Sequence, residues 1–116
     1  MTTHTTHRWR CDSCGEPINA GRDEGVIVAR RRDSPKGETR VMVVHKEWVN
    51  EHCDPGNGKG FGGSWSLMGI GEPDEQAAVM SVLCDPANDV GDDDGKLRLV
   101  AAFRTLAQGE DAGRLL

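Results

Sequence analysis

The chain has 116 residues and a net charge of −5; 36% of its residues are hydrophobic, only 4% are aromatic, and tyrosine is absent. This length suits one domain, or a small metal-stabilised module with an extension, and the core material is scarce enough that a structural metal would add materially to folding. Residues 1–60 carry 10 Lys and Arg against 9 Asp and Glu, whereas residues 61–116 carry 4 against 10. The acidic second part argues against broad, non-specific nucleic-acid binding, which depends on neutralising phosphates.

The first residues of the chain are polar. Residues 1–8 are rich in Thr and His and predict a flexible tail. They lack the apolar run of a signal peptide, and no stretch further along approaches the length of a membrane span. The sequence therefore favours a cytoplasmic protein without a membrane partner. Because cytoplasmic thiols stay reduced, metal binding by the cysteines is expected rather than disulfide formation.

A candidate metal site begins at Cys11 and Cys14. A Cys-x-x-Cys pair lets one tight turn present two thiolates to one ion, and a distant pair of ligands completes a tetrahedron. Gly15 suits such a turn, because a residue without Cβ relieves crowding where backbone N–H groups face the sulfurs. Further along, Cys53 offers a third thiolate next to histidines. The pattern predicts one structural zinc ion.

The fourth ligand is either His45 or His52. His52 adjoins Cys53, and adjacent side chains diverge by about 100° in a helix and face opposite sides in a strand. His45 is separated from Cys53 by a seven-residue connection that must bend, since a straight helix would place the two about 12 Å apart. This comparison favours His45, with His52 as the alternative.

Two β-branched runs, residues 26–29 and 41–44, have the length and composition of strands. Between them, Ser34-Pro35-Lys36-Gly37 is a turn signal, so the sequence predicts a β-hairpin. A turn centred near Lys36 returns the chain to the cysteine pair at His45. The tip of this hairpin is basic and is a candidate nucleic-acid surface, formed by Arg30, Arg31, Arg32, Lys36 and Arg40.

The second part of the chain begins with a glycine-rich stretch. Residues 57–64 predict a flexible loop that uncouples two units. Residues 65–70 alternate apolar with small or polar residues, as a short strand does. The unit that follows, residues 65–110, is expected to be a small helical segment, and residues 111–116 are expected to fray.

Two helices are predicted in that segment. The first begins at Pro73, where proline is tolerated in the first turn, and ends at Cys84 before Pro86. The second is capped by Asp94 and ended by Gly109. Both carry an apolar face that can pack, and Cys84 is expected to be a buried thiol at a helix end. The predicted fold is α+β: a zinc-binding hairpin module over residues 9–56, then two short helices.

The run Cys11-x-x-Cys14-Gly15-x-Pro17-Ile18, followed by a hairpin, a His and a Cys, resembles the first zinc module of a LIM domain and, more broadly, a treble-clef finger. It is also similar to small uncharacterised actinobacterial proteins that open with Trp-x-Cys-x-x-Cys-Gly. The resemblance covers residues 9–56. Those families close the site with His-x-x-Cys, whereas here Trp48 stands three residues after the first candidate histidine. The resemblance implies a zinc-stabilised interaction module and does not imply an enzyme.

The residues thus favour a small, non-catalytic zinc-binding protein that acts as an interaction module for a protein partner, because four protein ligands leave no open position on the ion. The alternative is a nucleic-acid-binding zinc module that uses the basic hairpin, residues 30–40. An enzyme is not expected. His45 and His52 are too close in sequence for a nuclease site built on a separate strand and helix. Cys11 lacks the preceding strand of a thioredoxin-like redox motif. The oligomeric state is not indicated.

Overall fold

The computed structural model describes residues 8–30, 40–53, 61–88 and 90–115. Within these ranges the chain has mixed α and β structure, which confirms the predicted α+β class. The strands are β1 (Arg8–Arg10), β2 (Pro17–Asn19), β3 (Gly25–Arg30), β4 (Val41–His45) and β5 (Phe61–Ser66). A 3-10 turn, Ala20–Arg22, follows β2, and the helices are α1 (Pro73–Leu83) and α2 (Asp93–Ala107).

Strands β1 and β2 form a short antiparallel hairpin around the first two cysteines. Trp9 pairs with Ile18 across it, and both side chains are buried. Their burial holds the cysteine turn, residues 11–15, against the rest of the molecule. Arg8 belongs to β1, so the prediction of a flexible tail is wrong at that residue; residues 1–7 lie outside the described part of the chain.

The predicted β-hairpin is present as β3 and β4. Gly25 pairs with His45, and Val28 pairs with Met42, so the hairpin returns the chain to the cysteine turn as the sequence indicated. The β-branched residues of both strands suit this half-buried pleated surface, and Val43 and Val44 are fully buried. The predicted basic tip falls on residues 31–39, which lie outside the described residues.

The glycine-rich stretch is not a loop throughout. From residue 61 onward it is strand β5, which pairs antiparallel with β3 and makes a sheet of order β4-β3-β5. The loop prediction is therefore wrong for residues 61–64. The predicted strand over residues 65–70 is correct only to Ser66, since residues 67–70 form a bend and turn. Pairing with a neighbouring strand outweighs the weak strand propensity of glycine here.

Both predicted helices are present, and they pack beside the sheet. Pro73 occupies the first turn of α1, as expected. Helix α2 is capped by Asp92, not by Asp94, and the Asp92 carboxylate accepts from the backbone N–H of Gly95 and also from that of Val41 in β4. One carboxylate thus links the start of α2 to the sheet. A Cβ on Gly95 would lie 3.0 Å from Val41 Cβ, so only glycine permits this close approach.

The last described residues do not fray, contrary to the expectation for residues 111–116. Gly113 makes a parallel bridge with Trp9, and the N–H of Arg10 donates to the Gly113 carbonyl at 2.9 Å. The Leu115 side chain is only 4% exposed. Main-chain pairing and one buried leucine fix a segment whose polar sequence, Glu110-Asp111-Ala112-Gly113-Arg114, gives little sign of order.

Buried side chains from every part of the fold form one cluster. It includes Trp9 and Ile18 of the first hairpin, Val43 of the sheet, and Leu83 and Leu99 of the two helices. The cysteine turn and the helices therefore share a core. Neither helix in the described ranges has the length and apolar character needed to cross a membrane.

Candidate metal centre

Four side chains predicted as ligands converge on one point. Their ligand atoms, three sulfurs and one imidazole nitrogen, all lie within 4.8 Å of one another. Cys11 and Cys14 come from the turn between β1 and β2, His45 is the last residue of β4, and Cys53 lies in the turn that follows. The fold thus brings together residues 42 positions apart at its extremes, and the cluster can hold a metal ion, consistent with a zinc-binding site.

The distances inside the cluster fit a tetrahedral ion. His45 Nδ1 lies 3.4 Å from Cys14 Sγ and 3.6 Å from Cys53 Sγ. With usual zinc–sulfur and zinc–nitrogen bond lengths, the sulfur-to-nitrogen edge of a tetrahedron is about 3.6 Å. The cluster therefore needs little rearrangement to bind an ion at its centre.

The orientation of His45 is set by a second contact. Its Nε2 lies 3.0 Å from the backbone carbonyl oxygen of Pro17. Because a carbonyl only accepts, Nε2 carries a proton and donates it, so in the neutral imidazole Nδ1, which faces the sulfurs, is the nitrogen free to bind an ion. A ligand histidine held through its other nitrogen is typical of metal sites. The contact also ties β2 to the end of β4.

The cysteine turn surrounds Cys11 with N–H groups. The N–H groups of Ser13 and Cys14 point at Cys11 Sγ, at 3.4 and 3.5 Å. Gly15 adopts a positive φ of 80°, which closes the turn, and its N–H donates to the Cys11 carbonyl. Burial raises the pKa of Cys11, but the backbone N–H groups of Cys14, His45 and Ser13 together lower it to about 7. The turn thus stabilises a thiolate at Cys11.

Cys53 has the opposite electrostatic environment. Burial, then the side chains of Cys14 and Cys11 and their charges, raises its pKa to about 12. Three thiolates within one cluster repel one another unless a cation lies between them. A divalent ion supplies that positive charge, and so favours the fully deprotonated cluster.

The alternative fourth ligand, His52, lies outside the cluster. Its side chain is 87% exposed and lies 3.5 Å from the Glu51 carboxylate. The connection from His45 bends through turns, and the Asn50 N–H donates to the Lys46 carbonyl as in a single helical turn. This bend returns Cys53 to the site. Because neighbouring side chains diverge, His52 then points to solvent.

Sequence reasoning missed Asp12, which lies between the two cysteines. Asp12 is buried, and its carboxylate accepts from the N–H of Val43 at 2.8 Å and from the N–H of Leu115 at 3.0 Å. The sequence does place a carboxylate beside the first cysteine. If the turn is buried, that carboxylate needs hydrogen-bond partners, and this could have indicated a structural role for Asp12.

Two further predictions concern Cys84 and the basic hairpin. Cys84 is exposed and is not part of the cluster, so its predicted burial is wrong. Of the basic residues, Arg40 is exposed just before β4 and Arg30 ends β3, while Arg31, Arg32 and Lys36 lie outside the described residues. Nucleic-acid binding by this hairpin therefore stays a prediction.

Comparison of the chain with protein-family models, with curated proteins and with solved structures gives no match.

Proposed function

We propose that Cys11, Cys14, His45 and Cys53 bind one structural zinc ion, and that the chain is a small, non-catalytic interaction module built around it. The convergence of the four ligand atoms within 4.8 Å carries this proposal. Thiolate and imidazole ligands in a tetrahedron are the preference of zinc, and four protein ligands leave no position for a water or substrate. The ion would join the cysteine turn to the end of β4 in a treble-clef-like arrangement.

The proposal is tested by elemental analysis of the purified chain. One zinc per chain is expected, and Cys11→Ser should release it because the site loses a thiolate. Cys84→Ser is the matched control, since Cys84 is an exposed cysteine outside the cluster. Stoichiometric zinc in the Cys11→Ser variant, or equal loss from both variants, would contradict the assignment.

An exposed aromatic residue on the connection between two ligands supports the interaction role. The Trp48 side chain is 66% exposed, and its Nε1 donates to the Asp23 carbonyl at 3.3 Å, which orients the ring. Val49 beside it is 39% exposed. An ordered, solvent-facing tryptophan is the kind of residue that anchors protein interfaces. Because its loop runs between His45 and Cys53, the ion would fix this surface.

Affinity capture with the zinc-loaded chain tests the surface. Partner proteins retained by the wild type should be lost with Trp48→Ala and kept with Leu97→Ala. Leu97 is the matched control, because it is 68% exposed on α2. If Trp48→Ala retains the same proteins as the wild type, the partner surface lies elsewhere.

A further inference from the structure

We propose that metal binding controls the docking of a C-terminal strap, residues 111–115, and that the strap is released when the ion leaves. This inference rests on the proposed metal site and adds a conformational consequence to it. The strap lies against β1 and the cysteine turn, at the opposite end of the sequence from them.

The strap is held by a short series of main-chain contacts to β1. The N–H of Ala112 donates to the Arg8 carbonyl at 3.0 Å, and the N–H of Arg10 donates to the Gly113 carbonyl at 2.9 Å. The N–H of Arg8 donates to the Asp111 carboxylate at 3.0 Å. The strap is thus a short parallel addition to the hairpin that carries Cys11.

Asp12 connects the strap to the metal site. Its carboxylate accepts from the N–H of Leu115 and of Val43, and its backbone carbonyl accepts from the Arg114 guanidinium at 3.0 Å. Its own N–H donates to the Val43 carbonyl at 2.8 Å. Asp12 therefore joins three segments from a position between two ligands. Its carboxylate reaches both N–H donors only while the cysteine turn keeps its shape.

Among the described residues, the other attachments of the strap are the side chains of Leu115, which lies in the buried cluster, and Ala112, which packs against it. Gly109, with φ 81°, ends the α2 region before the strap, and Gly113 within it has φ 72°. Leu115 is the buried side chain at its end. A segment with so few buried contacts opens locally at low free-energy cost. Loss of the ion frees the cysteine turn and misplaces Asp12, which weakens the two hydrogen bonds that hold Arg114 and Leu115. The three contacts to β1 then lie beside a turn that no longer keeps its shape.

Thermodynamic linkage relates strap docking to zinc affinity. If the bound ion raises the equilibrium constant for docking of the strap by some factor, the docked strap raises the affinity for the ion by the same factor. A substitution at Leu115 that weakens docking of the strap should therefore lower zinc affinity, although Leu115 is not a ligand.

The experiment uses the isotopically labelled full chain with zinc. Amide hydrogen exchange is followed by NMR at Ala112 and Leu115, with Leu99 in α2 as the internal reference. Leu115→Ala should speed exchange at Ala112 at least about fivefold more than at Leu99, and weaken zinc by a similar factor in a competition titration against a chromogenic chelator. Leu97→Ala is the matched control, because it removes an exposed leucine from the same chain.

A second variant tests the contact between the cysteine turn and the strap. In zinc-loaded Asp12→Ala neither N–H keeps its carboxylate acceptor, so Leu115 exchange should accelerate more than Leu99 exchange. Asp94→Ala, which removes an exposed acid of α2, is its control. Faster strap exchange in Leu115→Ala with unchanged zinc affinity would overturn the coupling while leaving the zinc site intact. Unchanged strap exchange in Asp12→Ala would overturn the role of Asp12. A wild-type chain that binds no zinc would remove the proposed function and this inference together.

Discussion

At the scale of single residues, Cys11 and Cys53, the two buried thiols of the cluster, have pKa values shifted in opposite directions. The pKa of Cys11 is lowered to about 7 because the N–H groups around it outweigh its burial, whereas burial and the neighbouring thiols raise the pKa of Cys53 to about 12. Without metal, Cys53 therefore holds its proton more tightly than Cys11 does. Metal binding must displace the remaining protons.

This difference predicts the pH dependence of zinc affinity. Affinity should rise with pH, because thiolates bind the ion and protons compete for them. Below pH of about 7 the proton of Cys11 must be displaced as well, so affinity should fall more steeply there. Competition titrations at several pH values from about 5.5 to 7 and from about 7 to 9 measure the two slopes. Equal slopes on both sides would show that Cys11 does not titrate near neutrality.

The two histidines give a second residue-scale prediction. His45→Ala should weaken zinc binding by about tenfold or more, since it removes a ligand. His52→Ala should leave affinity unchanged, because that side chain is solvent-exposed and outside the cluster. The same chelator titration decides between them. A larger loss from His52→Ala would mean that the ligand comes from the turn beside Cys53.

At the scale of elements, the contact between the first hairpin and the sheet is tight at Gly25. A Cβ there would collide with Ile18 Cγ2 and lie 2.6 Å from Leu67 Cδ1. Gly25→Ala should therefore lower the free energy of unfolding by about 1–3 kcal/mol through overpacking. Gly69→Ala is the control, since its Cβ would meet nothing closer than 3.5 Å. Urea unfolding compares them, and equal stability of the two variants would refute the tight contact.

Some elements of the fold can be predicted from the sequence and others cannot. Strands β3 and β4 are predicted by their β-branched runs. The turn signal between them predicts a register that places His45 near the cysteine turn. The ligand set follows from the divergence of adjacent side chains, which disfavours His52. Strand β5 and the strap could not be predicted this way, because glycine-rich and polar segments there are ordered by pairing with β3 and β1. Asp92 caps α2 two residues before the predicted Asp94, and its carboxylate also accepts from the N–H of Val41, a contact that the sequence does not indicate.

At the scale of the whole molecule, the shared core favours one cooperative unit over the two that the sequence suggested. Helix residues Leu83 and Leu99 lie in the same buried cluster as Trp9 and Ile18 beside the cysteine turn. Strand β5, in the stretch expected to uncouple the halves, instead pairs with β3.

Removal of zinc should therefore destabilise the helices along with the sheet. Thermal unfolding followed by helical circular dichroism and by tryptophan fluorescence should give coincident transitions, both shifted down by chelator. An unshifted helical transition in chelator, with the fluorescence transition lost, would show that residues 65–110 fold independently.

The uneven exposure of the ligands has a consequence for kinetics. Cys11, His45 and Cys53 are buried, whereas Cys14 is exposed. With zinc bound by these residues, an acceptor thiol or amine would reach the ion most readily beside Cys14, the exposed ligand. Spontaneous dissociation, which requires several buried ligands to open, is expected to be slow. The lifetime of the bound ion should then depend on the concentration and size of the competing acceptor, with small thiols exchanging it faster than bulky chelators of equal affinity.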